Sequence, residues 1–311
     1  MKQTNNAIKF LMAQYRAIFK HANIAMVAAM AATAFASTAS AAATNPIVTW
    51  EGIKTTAASQ SELVIDGTDK SIVIPTTQNG GSFDDVLTVK ITGGADNAIE
   101  GVGAGTGDQP ASVYNGKNLT INLAATGDSG SAVLGIGSTT GNIEVNVKAV
   151  NVSKGTLNIG AAQAGKPSTL KAENIVIGVA GEQKTDLNQV NIKEKGTLAA
   201  TTKLTVEAGS NVNVEGKLLG STIDINGGTV TLSGGATAAD TKLGTLATPS
   251  DATNTSLINI NGGKVTAAAT KSGSILADKI VVSGGEVDAA GTLVIGAKDK
   301  SLVVSKGTIK T

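Results

Sequence analysis

Gly127-Asp128-Ser129-Gly130-Ser131 is spaced for nucleophilic chemistry, with Ser129 between an acidic residue and a glycine. A serine hydroxyl becomes a nucleophile when an imidazole takes its proton. The chain has a single histidine, His21, and no cysteine. His21 lies within residues 1–41, so residues 42–311 contain no such base. We interpret residues 127–131 as a turn.

The same five residues resemble the segment around the nucleophile of chymotrypsin-like proteases, and by that resemblance Ser129 would be the nucleophile. The absence of an imidazole removes the implied mechanism. Residues 42–311 also lack arginine and methionine, and their only aromatic residues are Trp50, Phe83 and Tyr114. We therefore expect that the protein is not an enzyme and has no catalytic residue.

Two other patterns suggest a phosphate loop or a calcium site. Residues 101–107 are rich in glycine, but no Gly-Lys-Ser/Thr follows them, so we interpret them as a corner between strands. Asp66 with Asp69, and Asp84 with Asp85, do not have the spacing of a calcium loop. We expect solvated acids in turns, no metal site and no cofactor.

The charge balance excludes another class of partner. Four of the 25 basic residues lie within residues 1–41, so residues 42–311 contain 21 lysines and 24 acidic residues. This balance gives no electrostatic attraction to nucleic acid, and arginine, which binds phosphate through two parallel hydrogen bonds, is missing. Without cysteine, stability must come from burial and backbone hydrogen bonds. We expect no nucleic-acid partner, and the sequence indicates no particular ligand-binding residue.

The first 41 residues form an extended signal peptide. Four basic residues precede an uncharged run over residues 24–36, small residues follow it, and no acidic residue occurs before Glu51. This layout predicts an export signal, helical in its apolar part and cleaved after Ala41. The apolar run is too short to cross a bilayer. Its long basic region resembles the leaders of large Gram-negative autotransporters, so we expect an exported protein.

The downstream half of the chain repeats one phrase, in which an apolar and a polar residue precede two glycines and a second apolar residue follows two positions later. The four copies occupy residues 225–230, 260–265, 282–287 and 304–309, and Lys306 replaces the first glycine of the last copy. The second glycines are Gly228, Gly263, Gly285 and Gly307, which are 35, 22 and 22 residues apart. Such a period indicates a structural repeat.

Each copy predicts two strands joined at a glycine corner. Apolar residues alternate before the turn, which places them on one face of a strand. The constant second glycine predicts a backbone with positive φ. Asn226, Asn261, Ser283 and Ser305 share one position before the turn, where stacked side chains can form hydrogen bonds along the stacking axis. Looser copies occur at residues 150–157, 190–198 and 204–209.

These features predict an all-β protein, a right-handed parallel β-helix with coils of about 22 residues. Residues 42–147 would form an N-terminal cap and irregular coils, with Trp50 closing the end, and residues 148–311 regular coils. The longer interval before Gly263 predicts a loop over residues 239–255. A β-sandwich array remains an alternative, as does a separate small β-domain for the N-terminal part.

The pattern resembles autotransporter passenger domains, which carry degenerate Val-x-x-Gly-Gly-x-Val phrases. That resemblance implies a surface-displayed or secreted adhesive protein whose lateral face binds molecules of a host or neighbouring cell. It also implies an outer-membrane translocator, either in the same chain or as a separate protein. Because the sequence stops inside a coil, we expect a fragment without the translocator barrel. A β-helical polysaccharide-degrading enzyme and a self-assembling surface-layer subunit are the alternatives.

Overall fold

The structure is a computed structural model. It describes residues 47–49, 61–65, 71–74, 87–93, 97–101, 112–126, 132–138, 141–160, 166–181, 188–234, 245–247 and 256–310. The predicted signal peptide, residues 1–41, and Trp50 lie outside these residues.

The described residues form strands and turns and contain no α-helix, so the predicted all-β class is confirmed. The strands are β1 (Ile47–Thr49), β2 (Glu62–Ile65), β3 (Ser71–Ile74), β4 (Leu87–Ile91), β5 (Asn97–Gly101), β6 (Ser112–Ala124), β7 (Val133–Ser138), β8 (Ile143–Ile159), β9 (Ser168–Ile177), β10 (Asn188–Ile192), β11 (Gly196–Val206), β12 (Ser210–Val214), β13 (Lys217–Ile225), β14 (Thr229–Leu232), β15 (Thr245–Ala247), β16 (Leu257–Ile260), β17 (Lys264–Ala267), β18 (Ser272–Val282), β19 (Glu286–Ala289), β20 (Thr292–Val304) and β21 (Thr308–Lys310).

The strands form two parallel sheets that the chain visits in turn. Sheet A consists of β1, β3, β5, β7, the end of β8, β10, β12, β14, β17, β19 and β21. Sheet B consists of β2, β4, β6, the start of β8, β9, β11, β13, β15, β16, β18 and β20. Each strand pairs with the strand one coil away, where a coil is the chain between successive strands of sheet A. Parallel pairing in this order is consistent with a β-solenoid and differs from the antiparallel sheets of a β-sandwich.

The coils differ in length although the strand register is continuous. Asn191 on β10 pairs with Asn158, which is 33 residues earlier, and with Asn213, which is 22 residues later. From Val230 to Val265 the step is 35 residues, and from Val265 to Val287 it is 22. The extra residues therefore lie between strands, and the paired segments keep one lattice.

The interior is a set of aliphatic columns. In β12, Ser210, Val212 and Val214 are buried while the asparagines between them face outward. Paired inward residues stack from coil to coil, as Val190, Val212 and Val230 do, each no more than 1% exposed. Full burial of such a side chain contributes roughly 1.5–3 kcal/mol. The alternation of β-branched residues thus accounts for both the strands and the core.

The N-terminal part joins the same sheets. β4 pairs with β6, and β6 pairs with β8 in sheet B, while β5 and β7 continue sheet A toward β8. Tyr114 replaces an aliphatic residue in this part of the core and is 3% exposed. It lines a small apolar cavity together with Val89, Ile91, Ile99, Leu119, Ile121 and Leu134.

Two details of the predicted repeat are corrected. The expected loop over residues 239–255 includes the short strand β15, which pairs with Leu218 on one side and Ile275 on the other. The looser copies at residues 150–157 and 190–198 are not equivalent. Val150–Val152 lies in sheet B and leads into sheet A, whereas Val190–Ile192 lies in sheet A and leads into sheet B, so the two phrases form different corners of the coil.

Candidate functional site

The glycine corners are tight because successive coils approach one another closely there. Gly228, Gly263, Gly285 and Gly307 are absent from the positive-φ glycines of the described residues, so the predicted reason for their recurrence is wrong. A Cβ atom on Gly263 would lie 2.5 Å from the carbonyl oxygen of Gly228. That same carbonyl accepts a hydrogen bond from the backbone N–H of Lys264, at 2.9 Å. The constraint is therefore steric.

Positive φ does occur at glycines in two of the looser copies, Gly155 with φ 139° and Gly209 with φ 75°. The sequence phrase is similar in both settings. Gly155 combines positive φ with a steric constraint, because a Cβ there would lie 2.5 Å from the carbonyl oxygen of Ala132. The four corners of the regular copies have the steric constraint without positive φ.

The predicted polar ladder before the glycine corners is confirmed at three of its positions. Asn261 donates from Nδ2 to Oδ1 of Asn226 at 3.0 Å, and the Ser283 hydroxyl donates to Oδ1 of Asn261 at 2.9 Å. Asn226 in turn donates to the carboxylate of Glu207 at 3.0 Å. Ser305 follows Val304 at the next corner. The copy at residues 204–209 already contains Glu207 at this position, but its acidic side chain did not match the pattern.

A second ladder, which the sequence analysis missed, lies on the outward face of sheet A. Asn191 donates from Nδ2 to Oδ1 of Asn158 at 2.8 Å, and Asn213 donates to Oδ1 of Asn191 at 2.9 Å. Their coils differ in length by 11 residues, which hides the alignment in the sequence. Parallel pairing in register brings the three amides together one strand spacing apart, about 4.8 Å.

This ladder belongs to a surface that we call the amide face. Its members point outward from four adjacent strands and carry neutral amide or hydroxyl groups: Thr156, Asn158, Gln189, Asn191, Asn211, Asn213, Thr229 and Thr231. Gln189 is exposed and the other seven are partly exposed. The alternation that buries the aliphatic columns places these side chains on the opposite side of the sheet.

The next strands of sheet A continue the same rows with charged side chains. Lys264 contacts Glu286 at 3.2 Å and Asp288 at 2.6 Å between Nζ and a carboxylate oxygen. Lys310 contacts Glu286 at 2.9 Å. These four residues form what we call the charged ladder. It lies on the three strands β17, β19 and β21, and its side chains remain in contact with solvent.

Contacts within the charged ladder shift the pKa of three of its members. Hydrogen bonds to Asp288 and Glu286 raise the pKa of Lys264 above its ordinary value. Hydrogen bonds from Lys310 and Lys264 lower the pKa of Glu286, and the bond from Lys264 lowers that of Asp288. All three shifts favour the charged forms. In the core, burial raises the pKa of the Tyr114 phenol.

Sheet B carries a buried polar pair. The backbone N–H and hydroxyl of Ser256 donate to Oδ2 of Asp278, at 3.0 and 2.8 Å, and the Asp278 N–H donates back to the Ser256 hydroxyl at 2.9 Å. Ser256 is 4% exposed and Asp278 is 8% exposed. These bonds connect the start of β16 to the bulge in β18. We assign this pair a structural role.

The candidate nucleophile and the candidate calcium ligands from the sequence lie outside the described part of the chain. Ser129 and its neighbours in 127–131 are there, as are Asp66, Asp69, Asp84 and Asp85. Of residues 101–107, only Gly101 is described, at the end of β5. Within the described ranges, no three or more acidic, histidine or cysteine residues are grouped to hold a metal ion.

No family model, curated protein or solved structure matches the chain. A search of the described residues for membrane-spanning helices finds none of sufficient length and hydropathy. The candidate site is therefore defined by its geometry: the amide face and the charged ladder, which together form one continuous outward face of sheet A.

Proposed function

We propose that the protein is an exported structural and adhesive β-solenoid, similar to autotransporter passenger domains. In this proposal the coils are right-handed, as parallel β-crossovers usually are. The regular coil has about 22 residues, and longer coils arise from insertions between strands. The protein would be held at the cell surface or released, after export through an outer-membrane translocator.

The observation that supports this function most strongly is the outward face of sheet A. Its polar side chains form hydrogen bonds along the stack, as in Asn158–Asn191–Asn213, and so fix one another in a broad regular surface. Side chains that are already fixed lose little conformational entropy when a partner binds. A wide preordered surface suits adhesion, in which many weak contacts add up.

Export can be tested with the full chain, including its leader, expressed in a Gram-negative host with a candidate translocator. We expect a mature N-terminus at Ala42 and a product that added protease degrades on intact cells. A product that keeps residues 1–41 and stays protected inside the cell would contradict export.

Adhesion needs a separate test with the purified mature chain. Beads coated with the protein should bind neighbouring bacterial or host cells, and beads coated with heat-denatured protein should not. Incubation with a panel of polysaccharides tests the enzymatic alternative, and any turnover would overturn the structural interpretation. Ordered arrays in electron micrographs would instead favour a surface-layer subunit.

A further inference from the structure

We propose that the amide face binds neutral polysaccharide, with the polymer lying along the stack of coils. This inference rests on the proposed adhesive function and names the chemical class of its partner. It assigns binding to the four strands of the amide face and not to the charged ladder beside them.

The asparagine ladder uses only part of the hydrogen-bonding capacity of its amide groups. An asparagine side chain has two N–H donors and an oxygen with two lone pairs. Asn191 uses one donor on Asn158 and one lone pair on Asn213. Counting partners among the described residues, one donor and one lone pair of Asn191 remain, held in a fixed orientation. Sugar hydroxyl groups both donate and accept hydrogen bonds, so a row of such amides complements a row of hydroxyls.

Charge and residue type narrow the choice of partner. All eight outward residues of the amide face are neutral, so the face does not attract a polyanion by its own charge. It also carries no aromatic residue or arginine, the side chains that usually dominate the binding energy of protein interfaces. A neutral, hydroxyl-rich polymer fits this surface better than a protein or an anionic chain.

Without aromatic stacking, each sugar contributes weakly, and affinity must come from repetition. Equivalent positions recur about every 4.8 Å along sheet A. A polymer that engages one coil is held near the next, so its later contacts form at high effective concentration. The structure therefore predicts that polymers bind measurably while the corresponding monosaccharides do not compete.

Affinity electrophoresis of the mature chain tests this inference. The gels would contain a soluble neutral β-glucan, mannan or galactan, with polygalacturonate as the anionic comparison. We expect at least one neutral polymer to retard the protein, and about the same retardation when salt is raised from roughly 0.05 to 0.5 M, since neutral contacts are not screened. Failure of every neutral polymer, or retardation by polygalacturonate alone, would overturn the inference.

A double variant locates the surface. Gln189→Glu with Thr229→Glu adds two charges to the amide face, and neither residue belongs to the asparagine ladder. We expect at least tenfold weaker binding. The control, Lys171→Glu, changes charge at an exposed position of sheet B and should bind normally. Equal binding by wild type and double variant would contradict the assignment to this face.

Two further results separate this inference from the broader function. Beads that adhere to cells while every neutral polymer fails would leave adhesion standing and sink the polysaccharide assignment. Sedimentation of the wild-type chain tests a second copy as the partner of the amide face. Self-association that the double variant abolishes, without retardation by any neutral polymer, would mean that the face is an interface between copies.

Discussion

The upstream and downstream parts of sheet A have the same backbone lattice and different side-chain chemistry. On β8, β10 and β12, one outward row is a ladder of asparagine amides joined by hydrogen bonds of 2.8 and 2.9 Å. On β17, β19 and β21, the same rows hold the charged ladder of Lys264, Glu286, Asp288 and Lys310. Parallel stacking in register thus accepts either neutral or ionic pairing between coils.

The corners beside these two parts also differ. In the downstream part, Gly228, Gly263, Gly285 and Gly307 precede the strands and allow close backbone contact. In the upstream part, Asn188 and Ser210 begin β10 and β12 and are 2% exposed. The Ser210 hydroxyl makes no hydrogen bond among the described residues. Gly155 occupies the same position on β8, where a Cβ would lie 2.5 Å from the carbonyl oxygen of Ala132. The downstream corners and Gly155 therefore depend on the absence of a side chain, whereas the corners at Asn188 and Ser210 accommodate one.

The largest expected effect comes from placing a side chain at a downstream corner. In Gly285→Ala, the new Cβ would lie 2.5 Å from the carbonyl oxygen of Gly263 and would also meet Cγ2 of Ile260. Overpacking of this kind should lower the free energy of unfolding by about 1–3 kcal/mol. Urea denaturation of the mature chain measures the loss.

Ser210→Ala is the matched upstream variant, because Ser210 precedes Asn211 as Gly285 precedes Glu286 in the same row. It removes a hydroxyl that has no hydrogen-bond partner within the described ranges. We expect its free energy of unfolding to change by less than about 1 kcal/mol, with stabilisation as the favoured direction. If the two variants lose the same stability, the corners do not differ as described.

The amide ladder should show an intermediate effect. Asn191→Ala removes two side-chain hydrogen bonds, to Asn158 and from Asn213, and leaves the aliphatic columns intact. Both bonds are only partly buried, so each should contribute in the lower part of the usual range of about 0.5–1.5 kcal/mol, and we expect a loss of roughly 1–2 kcal/mol in the free energy of unfolding. Thr266 lies in the same row downstream, and Thr266→Ala should stay within about 0.5 kcal/mol of wild type. A larger effect for Thr266→Ala would reverse the comparison.

The charged ladder should show the smallest effect and the strongest dependence on pH. The lowered pKa values of Glu286 and Asp288 mean that the carboxylates stabilise the fold above their unfolded pKa, near 4, and cease to do so as pH falls through the folded values. The raised pKa of Lys264 means that its contribution is complete below about 10.4 and is lost as pH rises through the folded value.

Lys264→Gln tests this dependence. NMR titration should place the pKa values of Glu286 and Asp288 below the ordinary range in wild type and closer to it in the variant. The difference in urea midpoint between wild type and Lys264→Gln should shrink at low pH and at high salt. The difference caused by Asn191→Ala should persist under both conditions. If the difference in urea midpoint between wild type and Lys264→Gln does not change with pH or salt, the loss of stability comes from packing and not from charge.

The repeat was readable from the sequence where coil lengths are regular. Alternating apolar residues around Ile260 and Val282 predicted strands on either side of a corner, and the shared position of Asn226, Asn261 and Ser283 predicted their hydrogen bonds. These features depend on local spacing. In each of these copies the strand residues, the polar residue and the glycines stand at the same positions relative to one another, so aligning the copies aligns their structures.

Other features depend on which coils lie next to each other, and the sequence does not contain that information directly. Asn158 and Asn191 meet only because 33 residues return the chain to the same sheet, and the repeated phrase does not reveal this step. The reason for a constant Gly263 was also hidden. A glycine that recurs because of positive φ and one that recurs because of close backbone contact look the same in the sequence. The structure shows that Gly263 is of the second kind, since its φ is not positive and a Cβ would meet the carbonyl oxygen of Gly228.

The short strand β15 shows that this architecture separates chain length from alignment. The strands before β15 pair in register with the strands after it: β13 pairs with β16 and β14 with β17, despite the 35-residue step. The length of a coil can therefore change while the spacing of surface side chains along the stacking axis is preserved. Coils of different length can therefore follow one another in this scaffold while the side chains of sheet A keep their alignment.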